Sequence, residues 1–148
     1  MVIHNKYILA SSSKSRYEIL NKCGFVFKQV PPVCDEEKIK KEILINKISP
    51  INFVKKLSYE KSKSLSKKKH YYKSFVIGCD TIVHLDNQIF DKAKTLKEAQ
   101  KKIETLSGKK HKITTGLTIC KGDKKIWQCS VTSIVKIRSL TQKQIKKY

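Results

Sequence analysis

Ser11-Ser12-Ser13 follows the apolar run Tyr7-Ile8-Leu9-Ala10 and leads into Lys14 and Arg16. A serine turn that opens a helix presents free backbone N–H groups and the positive end of the helix dipole. It is either an ordinary cap or a seat for an anion, with the two cations adding to the attraction. Asp80 stands directly after Phe75-Val76-Ile77-Gly78-Cys79, the best buried-strand candidate in the chain, and before Thr81. A carboxylate at the end of a central strand holds a divalent metal, takes a proton from water, or simply makes a turn. Asp35-Glu36 follows Pro31-Pro32, and Lys61 and Lys92 lie further on. Acidic groups that hold a metal, with lysines that neutralise phosphates, make a polyphosphate site; separately, each is a surface charge.

These residues need elements to position them. Tyr7–Ala10 reads as a short buried strand, followed by a helix through Arg16, Leu20 and Cys23 that Gly24 stops. Phe25 to Val30 reads as a second strand ended by Pro31-Pro32, and strand–helix–strand suggests an α/β sheet. Residues 36–46 are expected to be helical. Ser49 caps a longer helix with Pro50 in its first position, carrying Phe53, Val54, Leu57 and Lys61 and dissolving near Lys67. After the Phe75–Cys79 strand, Thr81 to Leu85 and Gln88 to Phe90 form a hairpin about Asp86-Asn87. Thr95-Leu96-Lys97-Glu98 is a capping box for a helix that Gly108 closes. Lys112 to Cys120 and Lys125 to Ile137 are two long strands joined at Gly122-Asp123, and Thr141–Gln144 is a second capping box close to the last residue, Tyr148.

At 148 residues the chain is the size of one domain, and 39% hydrophobic residues allow one real core. The formal net charge is +21, which points to a polyanionic or phosphorylated partner, or else to a lysine-biased composition on solvated faces. Of the 33 basic residues only Arg16 and Arg138 are arginine. Base readout favours arginine, so specific nucleic-acid binding is not expected. Five cysteines, with no C-x-x-C pair, suggest reduced, mostly buried thiols rather than a disulfide framework or zinc site. No signal peptide or membrane span is expected, and the location expected is cytoplasmic.

The segments have a family order. Leu9-Ala10-Ser11-Ser12-Ser13-Lys14-Ser15-Arg16 resembles the opening signature of the Maf-like nucleotide pyrophosphatases. Asp35-Glu36 is similar to that family's acidic pair, Lys61 to its helix lysine, and Gly78-Cys79-Asp80-Thr81 to its G-A-D-T segment. Asp91-Lys92 resembles its post-hairpin lysine, and Leu106-Ser107-Gly108 through His111 to Thr115-Gly116 its L-S-G-x-x-H-x-V-x-T-G stretch. Lys14 replaces the usual proline, and Ser15 the first of two usual arginines.

The resemblance implies an α/β fold of one domain, a mixed twisted sheet flanked by helices, with two lobes about a cleft. It implies hydrolysis of nucleoside triphosphates to monophosphate and pyrophosphate, clearing modified or non-standard nucleotides, with Mg²⁺ or Mn²⁺ as cofactor. Asp80 would be the proton acceptor or hold the metal, with Glu36 joining it there. Ser11, Ser13 and Arg16 would cradle phosphate oxygens, Lys61 and Lys92 would neutralise charge, and Thr81 would lie near base or sugar. His111 and Thr115 would hold sheet and loop together. Family members often pair, so a homodimer is a possible state. The family's K-A-G segment and later glutamine are not in the chain, so a truncated C-terminus, or a site completed by another chain, is expected. Two rival functions stand beside this one: a basic, non-enzymatic nucleic-acid-binding protein, and an inactive, incomplete family member.

Overall fold

The structure, a computed structural model, describes residues 6–86 and 88–147. β1 (Tyr7–Ala10) leads through Ser11–Ser13 into α1 (Lys14–Lys22), and β2 (Lys28–Val30) follows. α2 (Glu36–Ile45) and α3 (Pro50–Ser66) come next, then a 3-10 turn at Lys69–Tyr71 and β3 (Phe75–Leu85). β4 (Gln88–Phe90), α4 (Leu96–Leu106), β5 (Lys110–Lys121), β6 (Lys124–Lys136) and α5 (Gln142–Ile145) complete the order. The six strands form one mixed sheet, β2-β1-β3-β5-β6, with β4 paired to β3. β1 is parallel to both β2 and β3, while β3, β5 and β6 run antiparallel to one another in turn.

α3 is the helix about which the core forms. Ser49 accepts from the Asn52 N–H, and Pro50 takes a position whose missing N–H costs nothing. Phe53, Val54 and Leu57 pack with Ile43 of α2 and Ile82 of β3, and Leu65 packs with Ile8, Ala10 and Val76. Ser58, Ser62 and Ser66 repeat at four-residue spacing and so share a helix face. That face lies on the sheet: Ser58 Oγ meets Thr118 Oγ1 at 2.8 Å, Ser62 Oγ donates to the Val76 carbonyl at 2.6 Å, and Ser66 Oγ to the Gly122 carbonyl at 2.7 Å.

Two glycines allow this close approach. A Cβ on Gly78 would stand 2.0 Å from the Ser58 carbonyl oxygen, and one on Gly116 2.5 Å from that of Val54. Both obstacles are backbone, so α3 itself would have to move. Gly78→Ala is expected to lower stability by about 3 kcal/mol, at the upper end of overpacking costs. Urea unfolding measures it; a loss below about 1 kcal/mol would mean that α3 is not held against the sheet as described.

Several expectations from the sequence are corrected. The second strand begins at Lys28, not Phe25. The Phe25 N–H instead closes the end of α1 on the Leu20 carbonyl at 3.1 Å, and the Phe25 and Phe27 rings pack on Tyr7 and Tyr17. Phe75–Leu85 is one strand rather than two, because β5 pairs with it continuously from Val76 to His84. Asp80 therefore lies mid-strand, although β1 stops pairing at Gly78, two residues before it. Thr95 caps α4, but Glu98 accepts from the Lys94 N–H at 2.8 Å rather than from Thr95, so the box is only half formed. The box of Thr141 and Gln144 is complete. Only Cys79 and Cys120 are buried among the five free cysteines. The hairpin turn includes Asn87, which lies outside the described residues; Asp86, beside it, has φ 52°. No helix among the described residues is long and apolar enough to cross a membrane.

Candidate active site

Where β1 gives way to α1, Ser13 accepts from the Arg16 N–H at 3.4 Å, and Ser11 Oγ accepts from the Ser13 N–H at 3.1 Å. The serine turn is therefore a true cap. It also orients Arg16, whose Nη1 donates to Ser11 Oγ at 3.3 Å and whose Nη2 donates to Thr81 Oγ1 at 3.3 Å. Thr81 Oγ1 is in turn 3.0 Å from Thr115 Oγ1 on the neighbouring strand. Arg16 thus links the first helix turn to the residue next to Asp80. Lys14, in contrast, is exposed and reaches Glu18 at 3.9 Å.

Asp80 is 7% exposed, and its side chain faces α3. Lys61 meets it there: Nζ lies 2.9 Å from Asp80 Oδ1 and 3.0 Å from Glu36 Oε2. The sequence neighbours Asp35 and Glu36 have different tasks. Asp35 caps α2 by accepting from the Lys38 N–H at 3.0 Å, while Glu36 reaches into the site. Burial pushes the Asp80 carboxyl above its usual range, against the lowering effects of the Lys61 ammonium and Arg16, and Glu36 raises it further. A carboxylate in such surroundings is a better base than an ordinary aspartate once ionised. The Cys79 thiol beside it is also raised by burial, so it packs as a small apolar group.

Lys92 is exposed in the loop after β4, and among the described residues no hydrogen bond or ion pair ties it to Asp80, Lys61 or Glu36. Its neighbour Asp91 is firmly held. Asp91 Oδ1 accepts from Lys40 Nζ at 3.0 Å, and its carbonyl accepts from Lys102 Nζ. Lys40 is the residue that sequence reasoning missed. Burial acts to lower its pKa, yet the bond and charge of Asp91 prevail and raise it, with Asp80 contributing. Its four-residue spacing from Glu36 was the available signal, because it sets both on one face of α2. His111 is buried at the start of β5, and its Nδ1 has no hydrogen-bond partner among the described residues.

A buried aspartate and a glutamate thus meet on one ammonium, beside an arginine at a helix start, on an α/β scaffold. The model of the Maf-like proteins matches residues 6–148. A 7-methyl-GTP pyrophosphatase of Bartonella quintana is 34% identical over 145 residues, covering 95% of this chain and 69% of that protein. A nucleoside triphosphate pyrophosphatase of Ehrlichia ruminantium is 34% identical over 142 residues, 95% and 70% of the two chains. A dTTP/UTP pyrophosphatase of Shewanella denitrificans is 34% identical over 148 residues, 96% and 71% of the two. The chain belongs to the Maf-like family.

Proposed function

We propose that this chain hydrolyses nucleoside triphosphates to a monophosphate and pyrophosphate, with Asp80 accepting the proton of the attacking water. The observation that carries the reading is the ammonium of Lys61 shared by Asp80 and Glu36, one residue from the Arg16–Thr81 contact. The activities for which the relatives are named support the reaction and differ in nucleotide, so the preferred base is not inherited from them.

Water attacks the α-phosphorus, and its proton passes to Asp80 Oδ2, because Lys61 occupies Oδ1. The bond to the bridging oxygen breaks, and pyrophosphate leaves with its electron pair. Ser11, Ser13 and the first turn of α1 receive phosphate oxygens, and Arg16 clamps them with its fork. Lys61, Lys40 and Lys92 neutralise the charge that builds up. Thr81, braced by Thr115, lies towards sugar or base.

Mg²⁺ or Mn²⁺ suits the donor set. Among the described residues no group of three or more His, Cys, Asp or Glu could hold a metal. Glu36 nevertheless offers a hard carboxylate, with Asp80 as a second one where it holds the ion instead of taking the proton, and Mg²⁺ is ordinarily held by one or two carboxylates with substrate phosphates completing its shell. When bound, the ion would neutralise phosphate charge and make water more acidic. Modified or non-standard triphosphates are the substrate class expected, and the cytoplasm the place.

The test is pyrophosphate release from a panel of standard and modified triphosphates with Mg²⁺ or Mn²⁺. Monophosphate and pyrophosphate in equal amounts support the reading. Diphosphate with free phosphate would place the cut at the wrong bond, and no turnover of any triphosphate would favour an inactive family member. Arg16→Lys keeps the charge but cannot reach Ser11 and Thr81 together. It is expected to raise KM about tenfold with a smaller change in kcat, the value of one charge-assisted hydrogen bond. An unchanged KM would remove Arg16 from the phosphate seat.

A further inference from the structure

At the Phe75 end of β3 the surface has a different character. Asp80 lies five residues beyond Phe75, roughly 17 Å along the strand. Beyond Phe75, segments 67–73 and 121–125 carry seven lysines and one acidic residue, Asp123. The triphosphate reading uses none of them.

They surround a concavity. Lys67, Lys69, His70, Tyr72 and Lys73 line a cavity of about 490 Å³. Tyr72 is 48% exposed, yet its ring is held in place. Its hydroxyl donates to Asp123 Oδ2 at 2.8 Å, and its ring lies so close to Gly122 that a Cβ there would stand 2.9 Å from Cζ. Gly122 has φ 55°, which glycine adopts without strain, and its carbonyl is tied to α3 by Ser66. The sole acid of these segments is occupied by Tyr72 and by Lys67 at 3.9 Å. A fixed, half-exposed aromatic ring in a cationic hollow therefore remains available.

We propose that this hollow is a second binding site, for single-stranded nucleic acid, in which a base stacks on Tyr72 and the neighbouring lysines hold the flanking phosphates. Stacking on a ring already immobilised loses little entropy, and every base has a face to offer. Lysines act as point charges and lack the planar fork that reads base edges, so the site is blind to sequence. Nucleic acid is favoured over an anionic membrane because Tyr72 is the only exposed large apolar side chain in these two segments, whereas interfacial binding needs apolar groups that insert. The site is independent of the pyrophosphatase reading and stands or falls separately.

The experiment is fluorescence anisotropy of a labelled thymidylate oligomer with the full chain, at low salt and then over a salt series. The slope of log K against log salt is expected between about −2, for the three lining lysines, and about −5, for all seven. Tyr72→Ala is expected to weaken binding about tenfold. Lys69→Glu with Lys73→Glu is expected to abolish it, and both variants keep triphosphate turnover. The same charge change on α4, Lys97→Glu with Lys101→Glu, is the control for diffuse attraction to the net charge. Absence of binding at low salt overturns the proposal, as does an equal loss in the α4 control. So does Tyr72-dependent capture of phosphatidylserine vesicles without capture of the oligomer. Should Tyr72→Ala lower the melting temperature, the double charge reversal compared with its control decides.

Discussion

Asp80→Asn lowers pyrophosphate release by about 10²- to 10⁴-fold, the usual contribution of a positioned proton acceptor. The amide keeps the shape of the side chain but cannot take a proton from water. Lys61 keeps Glu36 at 3.0 Å, so its ammonium is not stranded and the fold survives. The pH dependence separates this outcome from simple misfolding. Asp80 must be ionised to act, and burial raises its pKa above the ordinary aspartate value of 3.8. The acid limb of kcat/KM is therefore displaced upward from that value in the wild type, and the residual rate of Asp80→Asn lacks that limb. Stability carries the same signature with its own sign. The folded chain binds this proton more tightly than the unfolded chain, so the contribution is fully present below the unfolded pKa. It is lost as pH rises through the folded pKa. Asp80→Asn flattens that part of the stability curve. Wild-type turnover by Asp80→Asn would remove the residue from the mechanism.

Lys61→Met has the largest expected effect on stability. Removing one partner of a buried ion pair costs about 3–5 kcal/mol, because the charge left behind has no water. Asp80 is the deeply buried partner here. The Glu36 side chain is 37% exposed and recovers some solvation, which points to the lower half of that range. Without the ammonium, the Asp80 carboxyl is pushed higher still, moving the acid limb of any remaining activity towards neutrality. Urea unfolding and a pH–rate profile measure both effects. The double variant, Asp80→Asn with Lys61→Met, is expected to be more stable than Lys61→Met alone, because no unpaired carboxylate stays in the core. If the two losses simply add, Lys61 and Asp80 do not interact in the folded protein.

Much of the local structure around the candidate site was legible before any coordinates, for identifiable reasons. Ser11 and Ser13 announce themselves because a hydroxyl before a helix has one strong local use, and the expected cap is present. Ser49-Pro50 and the Thr141–Gln144 box are local in the same way, and the structure has both. Lys40 was missed because its partner, Asp91, is 51 residues away, and nothing in the intervening chain couples them. The strand at Phe25 failed for a related reason. Its β-forming residues were diverted to close α1 and to stack on Tyr7 and Tyr17, a competition that a strand pattern does not register. The basic hollow was seen only as charge, since Lys67 to Lys73 and the turn at Gly122 become one surface when the end of α3 meets the β5–β6 turn.

By itself, then, the chain's order of residues determined what local chemistry governs: helix starts, the glycine stops, the apolar strands, and the set of residue types fit for phosphate work. Tertiary structure alone decided which of those residues meet. Gly78 and Gly116 let α3 settle on the sheet, and that contact brings Lys61 to Asp80, which continuous pairing with β5 holds in the middle of a strand. The physical reason is range. Caps and periodicities act over three or four residues, whereas the meeting of a buried carboxylate with its ammonium depends on how closely two backbones can approach.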